Sequence, residues 1–394
     1  MTWTSKIKDL SLHSATAHPT GGSGIVGRVP GVSKINFGPL DLYGAAARCG
    51  HLHAINPALV TPESLMIAAL VEQYVDDVSS DFAILSGAAN FKDFVKSYFA
   101  GTVASGLAYL QMINEGYVWS DHFENVGGGN TAVAKSPDFV FDGPGTGVAL
   151  VESKGTRSAR LTAFDGTVDT GYTDQVEPHL GFTVGGANAS HGYCIGGWLT
   201  STTKAELLIH HTAVPVAVGG GGSRSQPSST IQRQNYATAF TLAHSAQLGE
   251  QLRGGEADGR YDVPFLRIEW GGRSWLTGLA SLGWPAWRWD DEFARLPPSI
   301  SQRARRRYLF GQRLPIFAIE ETIASAVLGR FLSVDSASAD FAIQPIDREV
   351  DFVTRADDGS QSGAVFPDGL AVIRSDFRIE NPIVWDPKSR QFRA

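Results

Sequence analysis

Cysteine is almost missing from this chain: Cys49 and Cys194 are the only thiols in 394 residues. Two cannot build a disulfide framework, and so low a count suits a reducing compartment. They offer no familiar zinc motif either, because Cys49-Gly50-His51-Leu52-His53 and the pair His191 and Cys194 lack a two-plus-two ligand spacing. No apolar run approaches the roughly 20 residues needed to span a bilayer. Residues 1–14 carry Lys6, Lys8 and Asp9 where a secretory leader would have an apolar core. A soluble, cytoplasmic protein without a membrane partner is the expectation. Gly219-Gly220-Gly221-Gly222-Ser223 lacks the Gly-Lys-Ser/Thr ending of a P-loop, and neither a Gly-x-Ser-x-Gly elbow nor a His-Glu-x-x-His motif occurs. Excess positive charge is absent too. A net charge of -7 excludes a uniformly basic nucleic-acid coat protein but leaves room for a local basic groove.

What the chain does have is 43% hydrophobic and 19% charged residues, the composition of a globular protein long enough for two domains. Within it, Pro137-Asp138 is followed by the strand-like Phe139-Val140-Phe141, the turn Asp142-Gly143-Pro144-Gly145, and the apolar run Val148-Ala149-Leu150-Val151 leading into Glu152-Ser153-Lys154. Side chains alternate along a strand, so Glu152 and Lys154 share a face and Ser153 turns away. Antiparallel pairing of the two runs brings Asp138 and Glu152 to one end of a hairpin. Two carboxylates and an ammonium held together are expensive to bury unless they pair or bind a cation. Phe366-Pro367-Asp368-Gly369 also contains Pro-Asp, but no acidic-x-Lys follows it.

This pattern resembles the PD-(D/E)xK nuclease superfamily, whose restriction-endonuclease-like fold serves restriction, repair, recombination and anti-phage defence. The resemblance implies an α/β architecture, a mixed central sheet flanked by helices, and metal-dependent hydrolysis of DNA phosphodiester bonds. Asp138 and Glu152 would hold Mg²⁺, with Mn²⁺ as a substitute, and Lys154 would orient or activate the attacking water. Members commonly add an acidic residue from a helix before the hairpin. Apolar residues at helical spacing from Phe91 to Leu110, with Asn90 as a candidate cap, place Glu115 at such a helix's end, and it is preferred here to Asp121 or Glu124. A polar residue after the lysine often faces the site, and Gln175, in a short helix capped by Thr173, is the candidate. Lys135 and Arg157 flank the motif as possible phosphate contacts.

Around this centre the chain divides by composition into an N-terminal extension (residues 1–60), a nuclease-like domain (61–215), a Gly/Ser-rich linker or mobile loop (216–235) and a C-terminal α+β region (236–394). Thr61 and Pro62 mark a helix start, and one helix is expected from Thr230 toward Leu252. Arg303, Arg305, Arg306 and Arg307 form the densest basic run and are the candidate nucleic-acid contacts. Five of nine tryptophans fall between Trp270 and Trp289, a packing core, a protein interface or a homo-oligomer contact before a base-stacking surface. Two readings of other kinds stand beside the DNA nuclease: a non-catalytic scaffold or assembly protein on the same fold, and an RNA-cleaving effector activated by a partner.

Overall fold

The computed structural model describes residues 3–4, 6–22, 24–50, 57–214, 227–254, 262–278, 315–332, 343–346, 362–374 and 378–393. Contacts divide the chain into two units, Met1–Leu52 with Ile67–Asn235 and His53–Met66 with Tyr236–Ala394. No helix among the described residues is long and apolar enough to cross a membrane.

In chain order the first elements are β1 (Lys8–His18), β2 (Lys34–Phe37), α1 (Pro39–Cys49), α2 (Pro57–Tyr74), α3 (Asp93–Asn114), β3 (Trp119–His122), α4 (Phe123–Val126), β4 (Phe139–Asp142), β5 (Val148–Thr156), α5 (Leu161–Gly171), β6 (Thr183–Val184), β7 (Ala187–Trp198) and β8 (Glu206–Thr212). The strands form one mixed sheet in the order β2-β1-β8-β7-β5-β4-β3, with β6 against β7. β1·β8 and β5·β7 are parallel and the other pairs antiparallel. The class is therefore mixed α/β, with helices on the sheet. Residues 1–60 are not a separate extension, because β1 and β2 belong to this sheet and α1 packs on α3. The composition there hides both elements. β1 is mostly polar beyond Leu12, and α1 is buried all round, so neither shows a simple amphipathic period.

α3 lies on one face and α5 on the other, and both come unusually close. Tyr109 of α3 meets Phe141 of β4 at 5.7 Å between ring centroids. A Cβ on Gly155 would stand 2.2 Å from the Ala100 carbonyl oxygen, and one on Gly197 would stand 3.2 Å from the Ala104 Cβ. On the opposite face, Cβ atoms on Gly192 and Gly196 would meet Val176 at 2.2 Å and Val168 at 2.4 Å. Gly155→Ala is accordingly expected to force α3 away from the sheet and to cost about 3 kcal/mol of stability, since backbone cannot rotate aside as a side chain can. A urea melt measures it. An unchanged midpoint would show that the close approach carries no energetic weight.

α3 starts at Asp93 with Lys92 as its cap residue, while Asn90, the expected cap, ends a short 3₁₀ turn, Ser86–Asn90. α2 begins at Pro57, ahead of Thr61. Further along come α6 (Ser229–Ala243), α7 (Ala246–Gly254), β9 (Val263–Trp270), β10 (Arg273–Thr277), β11 (Ile316–Glu320), α8 (Glu321–Phe331), β12 (Gly363–Val365), β13 (Leu370–Ile373), β14 (Arg378–Asp386) and β15 (Gln391–Arg393). The single helix expected after Thr230 is broken in two because the Ser245 hydroxyl accepts from Leu248 N–H and starts α7 afresh. β9 to β15 form an antiparallel sheet in the order β12-β13-β11-β10-β9-β14-β15. Trp270 and Trp275 are buried in it, 5.7 Å apart, with Trp275 Nε1 donating to the Trp270 carbonyl, so these two serve packing. Asp368 of the second Pro-Asp is buried in the β12–β13 turn, where it accepts from Leu370 N–H. Trp284, Trp287, Trp289, the glycines 219–222 and Arg303, Arg305, Arg306 and Arg307 lie outside the described residues.

Candidate active site

The hairpin register does the first part of the assembly. Phe139 pairs with Val151, so Asp138, one residue earlier, stands across from Glu152, one residue later. Asp138 N–H donates to Glu152 Oε2 at 3.0 Å, and the Asp138 carboxylate in turn accepts from the Ser153 N–H at 2.9 Å and the Ser153 hydroxyl at 2.8 Å, all through Oδ2. Ser153 points to α3, where its hydroxyl also lies 3.1 Å from the Ser105 hydroxyl. The Oδ1 of Asp138 makes no hydrogen bond among the described residues. Strand alternation thus separates the roles: Ser153 orients Asp138 from one side, and Glu152 and Lys154 share the other.

On that second face Lys154 Nζ donates to Glu152 Oε1 and to Gln175 Oε1, the latter at 3.0 Å. Gln175 is itself fixed by its Nε2, which donates to the Ser136 carbonyl at 3.1 Å. It sits in a π-turn, Tyr172–Val176, that widens the end of α5 and closes with Glu177 N–H on the Tyr172 carbonyl. Such turns commonly mark places where a helix is bent to aim a side chain. Gly171, the last residue of α5, presses directly on the pair: a Cβ there would lie 2.7 Å from Cys194 Sγ, 3.1 Å from Lys154 Cε and 3.6 Å from Glu152 Cγ.

Burial sets the electrostatics. Glu152 is 1% exposed. That burial, and then the Asp138 charge, push its carboxyl up to about 7 in spite of Lys154. Burial opposes the Lys154 ammonium as well, yet its hydrogen bond and ion pair with Glu152 raise its pKa and keep it charged. The Cys194 thiol, buried beside them, is raised well above its usual range by burial and then by Glu152, and so stays protonated. Two carboxylates facing one ammonium leave an excess of negative charge at a half-buried position. An all-oxygen donor set of this kind, with Asp138 Oδ1 open, suits a hard cation that keeps waters and takes the rest of its shell from substrate phosphate.

Asp138, Glu152, Lys154 and Gln175 come together, and Glu115 does not. Glu115 lies at the other end of β3, buried, with its carboxylate accepting from Gly31 N–H, Val32 N–H and the Gln111 side chain. It ties the N-terminal loop to α3, and its position as C-cap of α3 is compensated by those donors. The end of β3 that adjoins Asp138 carries the two less favoured acids. Asp121 is buried opposite Val140, accepting from His122 N–H and the Asn125 side chain, and Glu124 is exposed next to Phe123, whose N–H donates to the Asp138 carbonyl. Lys135 pairs with Asp174 at 2.7 Å on the surface. Arg157 has Nε and Nη1 buried with no partner among the described residues.

One cluster was not signalled by any motif. Among the described residues, the group of three or more His, Cys, Asp or Glu side chains whose ligand atoms all lie within 4.8 Å is His18, Asp169 and His210. It sits on the same sheet face as Glu152, and its members are too far apart in sequence for spacing to reveal it. Comparison of the chain with family models, with curated proteins and with solved structures returns no match.

Proposed function

We propose that the chain is a metal-dependent nuclease of the PD-(D/E)xK type, hydrolysing DNA phosphodiester bonds through Asp138, Glu152 and Lys154, on a restriction-endonuclease-like arrangement of its first sheet. The observation that carries this reading is the convergence of four residues named from the sequence, three by their pattern and Gln175 by the resemblance: Asp138 across from Glu152, Lys154 on Glu152, and Gln175 on Lys154. When bound, Mg²⁺ or Mn²⁺ would make hydroxide accessible near neutral pH and neutralise charge on the phosphate. The chain's own groups divide the remaining work. Asp138 and Glu152 would hold the ion, with the Ser153 hydroxyl and N–H keeping Asp138 in place. Lys154, held as the ammonium and 26% exposed, can donate to a phosphate oxygen or orient a water. Gln175 keeps the ammonium aimed. Restriction and anti-phage defence are settings in which such chemistry is used.

The test is cleavage of plasmid DNA by the full chain. Cutting is expected with Mg²⁺ or Mn²⁺, and it should stop with EDTA and be lost in Asp138→Ala. No cutting by the parent chain under any of these ions, or undiminished cutting by Asp138→Ala, would overturn the proposal.

A further inference from the structure

We propose that His18, His210 and Asp169 form a second cation site, selective for a divalent transition-metal ion of the Zn²⁺ class and separate from the Asp138–Glu152 pair. Three elements supply it: the last residue of β1, the middle of β8, and one face of α5. β1 and β8 run parallel with Thr16 opposite His210 and His18 opposite Thr212, which leaves both imidazoles on the face that α5 covers.

The geometry is that of a ligand set. His18 Nε2 and His210 Nδ1 are 2.7 Å apart, and Asp169 Oδ1 lies 3.6 Å from the first and 3.4 Å from the second. Donor atoms about 2.1 Å from a tetrahedral Zn²⁺ are separated from one another by about 3.4 Å, so these three atoms approximate one face of that tetrahedron. An ion about 2.1 Å from each would stand roughly 0.9 Å out of their plane. Asp169 is 50% exposed, whereas His210 is 4% exposed, so the remaining coordination position faces water.

The surroundings favour the same occupant. His210 Nε2 lies 3.2 Å from Asp165 Oδ1, one helical turn before Asp169 on α5. A carboxylate on the far nitrogen fixes the tautomer with the proton on Nε2 and leaves the Nδ1 lone pair for the ion, the usual outer arrangement of a histidine ligand. The His18 ring is stacked on Tyr172 at 4.3 Å and 21°, and the Tyr172 hydroxyl is anchored 2.7 Å from the Thr212 hydroxyl. Two imidazoles and a carboxylate select Zn²⁺ and its first-row neighbours over Mg²⁺, which takes oxygen. Without an ion, the short nitrogen–nitrogen contact is a hydrogen bond from His18 Nε2–H to His210 Nδ1.

The two sites are distinct but connected. Glu152 pairs with Cys194 and Cys194 with His210, so Cys194 separates them and their backbones lie about 10 Å apart, two strand spacings. A bound ion would fasten α5 to β1 and β8, and α5 carries Gly171 and the turn that aims Gln175.

The experiment is calorimetric titration of the chelator-treated full chain with Zn²⁺, with Co²⁺ absorption as the spectroscopic readout and Mg²⁺ as competitor. One equivalent of Zn²⁺ is expected to bind with micromolar or tighter affinity and to raise the melting temperature, undisturbed by millimolar Mg²⁺. Asp169→Asn, at an exposed position that should not disturb folding, and His210→Ala are expected to weaken binding at least 100-fold, and Asp165→Asn by about 10- to 100-fold. His13→Ala, on β1 but remote from the cluster, should bind as the parent does. Absence of binding by the parent chain, or parental binding in a folded Asp169→Asn variant, would overturn the site. Because every readout is binding or melting, the result does not depend on whether the chain cuts DNA.

Discussion

Lys154→Ala is expected to lower the single-turnover rate of Mg²⁺-dependent DNA cleavage by about 10²- to 10³-fold, the usual cost of removing one preorganised donor from a developing charge. The loss has two sources. The ammonium no longer meets the phosphate or the attacking water, and Glu152 and Asp138 are left facing each other without the cation between them. In the metal-free protein the Glu152 carboxyl, already pushed up to about 7 by burial and then by Asp138, would rise further, so a proton competes more strongly with the metal for it. Part of the defect should therefore recover as pH is raised, and part should not. Gln175→Ala is expected to cost less, about tenfold, because it removes only the group that aims the Lys154 ammonium. Quenched-flow or slow single-turnover assays at saturating metal separate the two, and equal rates for Lys154→Ala and the parent would sink the assignment.

Glu152→Gln should abolish cleavage and at the same time make the protein more stable at pH 8. The sign follows from the proton balance. Glu152 has a folded-state pKa of about 7, raised from 4.5, so between those values the native state binds the proton more often than the unfolded chain does. Stability contributed by this group is present below pH 4.5 and falls as pH rises toward 7. Above pH 7 the ionised carboxylate costs at most roughly 3 kcal/mol, reduced by whatever relaxation and water the site admits. A glutamine of the same shape carries no charge there. A gain of about 1–3 kcal/mol is expected at pH 8, shrinking to nearly nothing by about pH 4, where Glu152 is neutral in the folded chain and mostly neutral in the unfolded one. Millimolar Mg²⁺ should narrow the difference by stabilising only the parent. Urea melts at about pH 4 and pH 8 check it, and a variant less stable than its parent at pH 8 would refute the electrostatic account.

How much of this was legible beforehand depended on distance along the chain. The β4–β5 hairpin was readable because its turn chemistry, its alternation and its charged end lie within about twenty residues, and the register that joins Asp138 to Glu152 follows from the turn. Gln175 was placed by resemblance and met Lys154 because α5 returns over the same face. Glu115 misled because helical periodicity located it at the end of α3 but carried no information about which end of β3 that would be. α5 escaped notice: Gly166 and Gly171 interrupt its pattern, yet Gly171 is small for a reason that only packing on Cys194 and Lys154 reveals. β1 and α1 lack a simple amphipathic period for opposite reasons, one being polar along most of its length and the other buried on all sides. The His18–His210 cluster joins residues 192 apart, a relation created by a parallel strand pair and by nothing local.

That parallel pair also has a consequence for synthesis. β1 leaves the ribosome well before its partner β8, which ends at Thr212, so about 190 further residues must be made before β1 gains that neighbour. At ordinary elongation rates this is a wait on the order of 10 to 40 s. Throughout it, although the segment around Asp81 can bridge at Asp9, the edge of β1 that will meet β8 stays unpaired from Ser11 to His18. Its polar outer half, Ser14 to His18, is then an advantage in itself: the stretch that waits longest for a partner is the one least prone to take a wrong one.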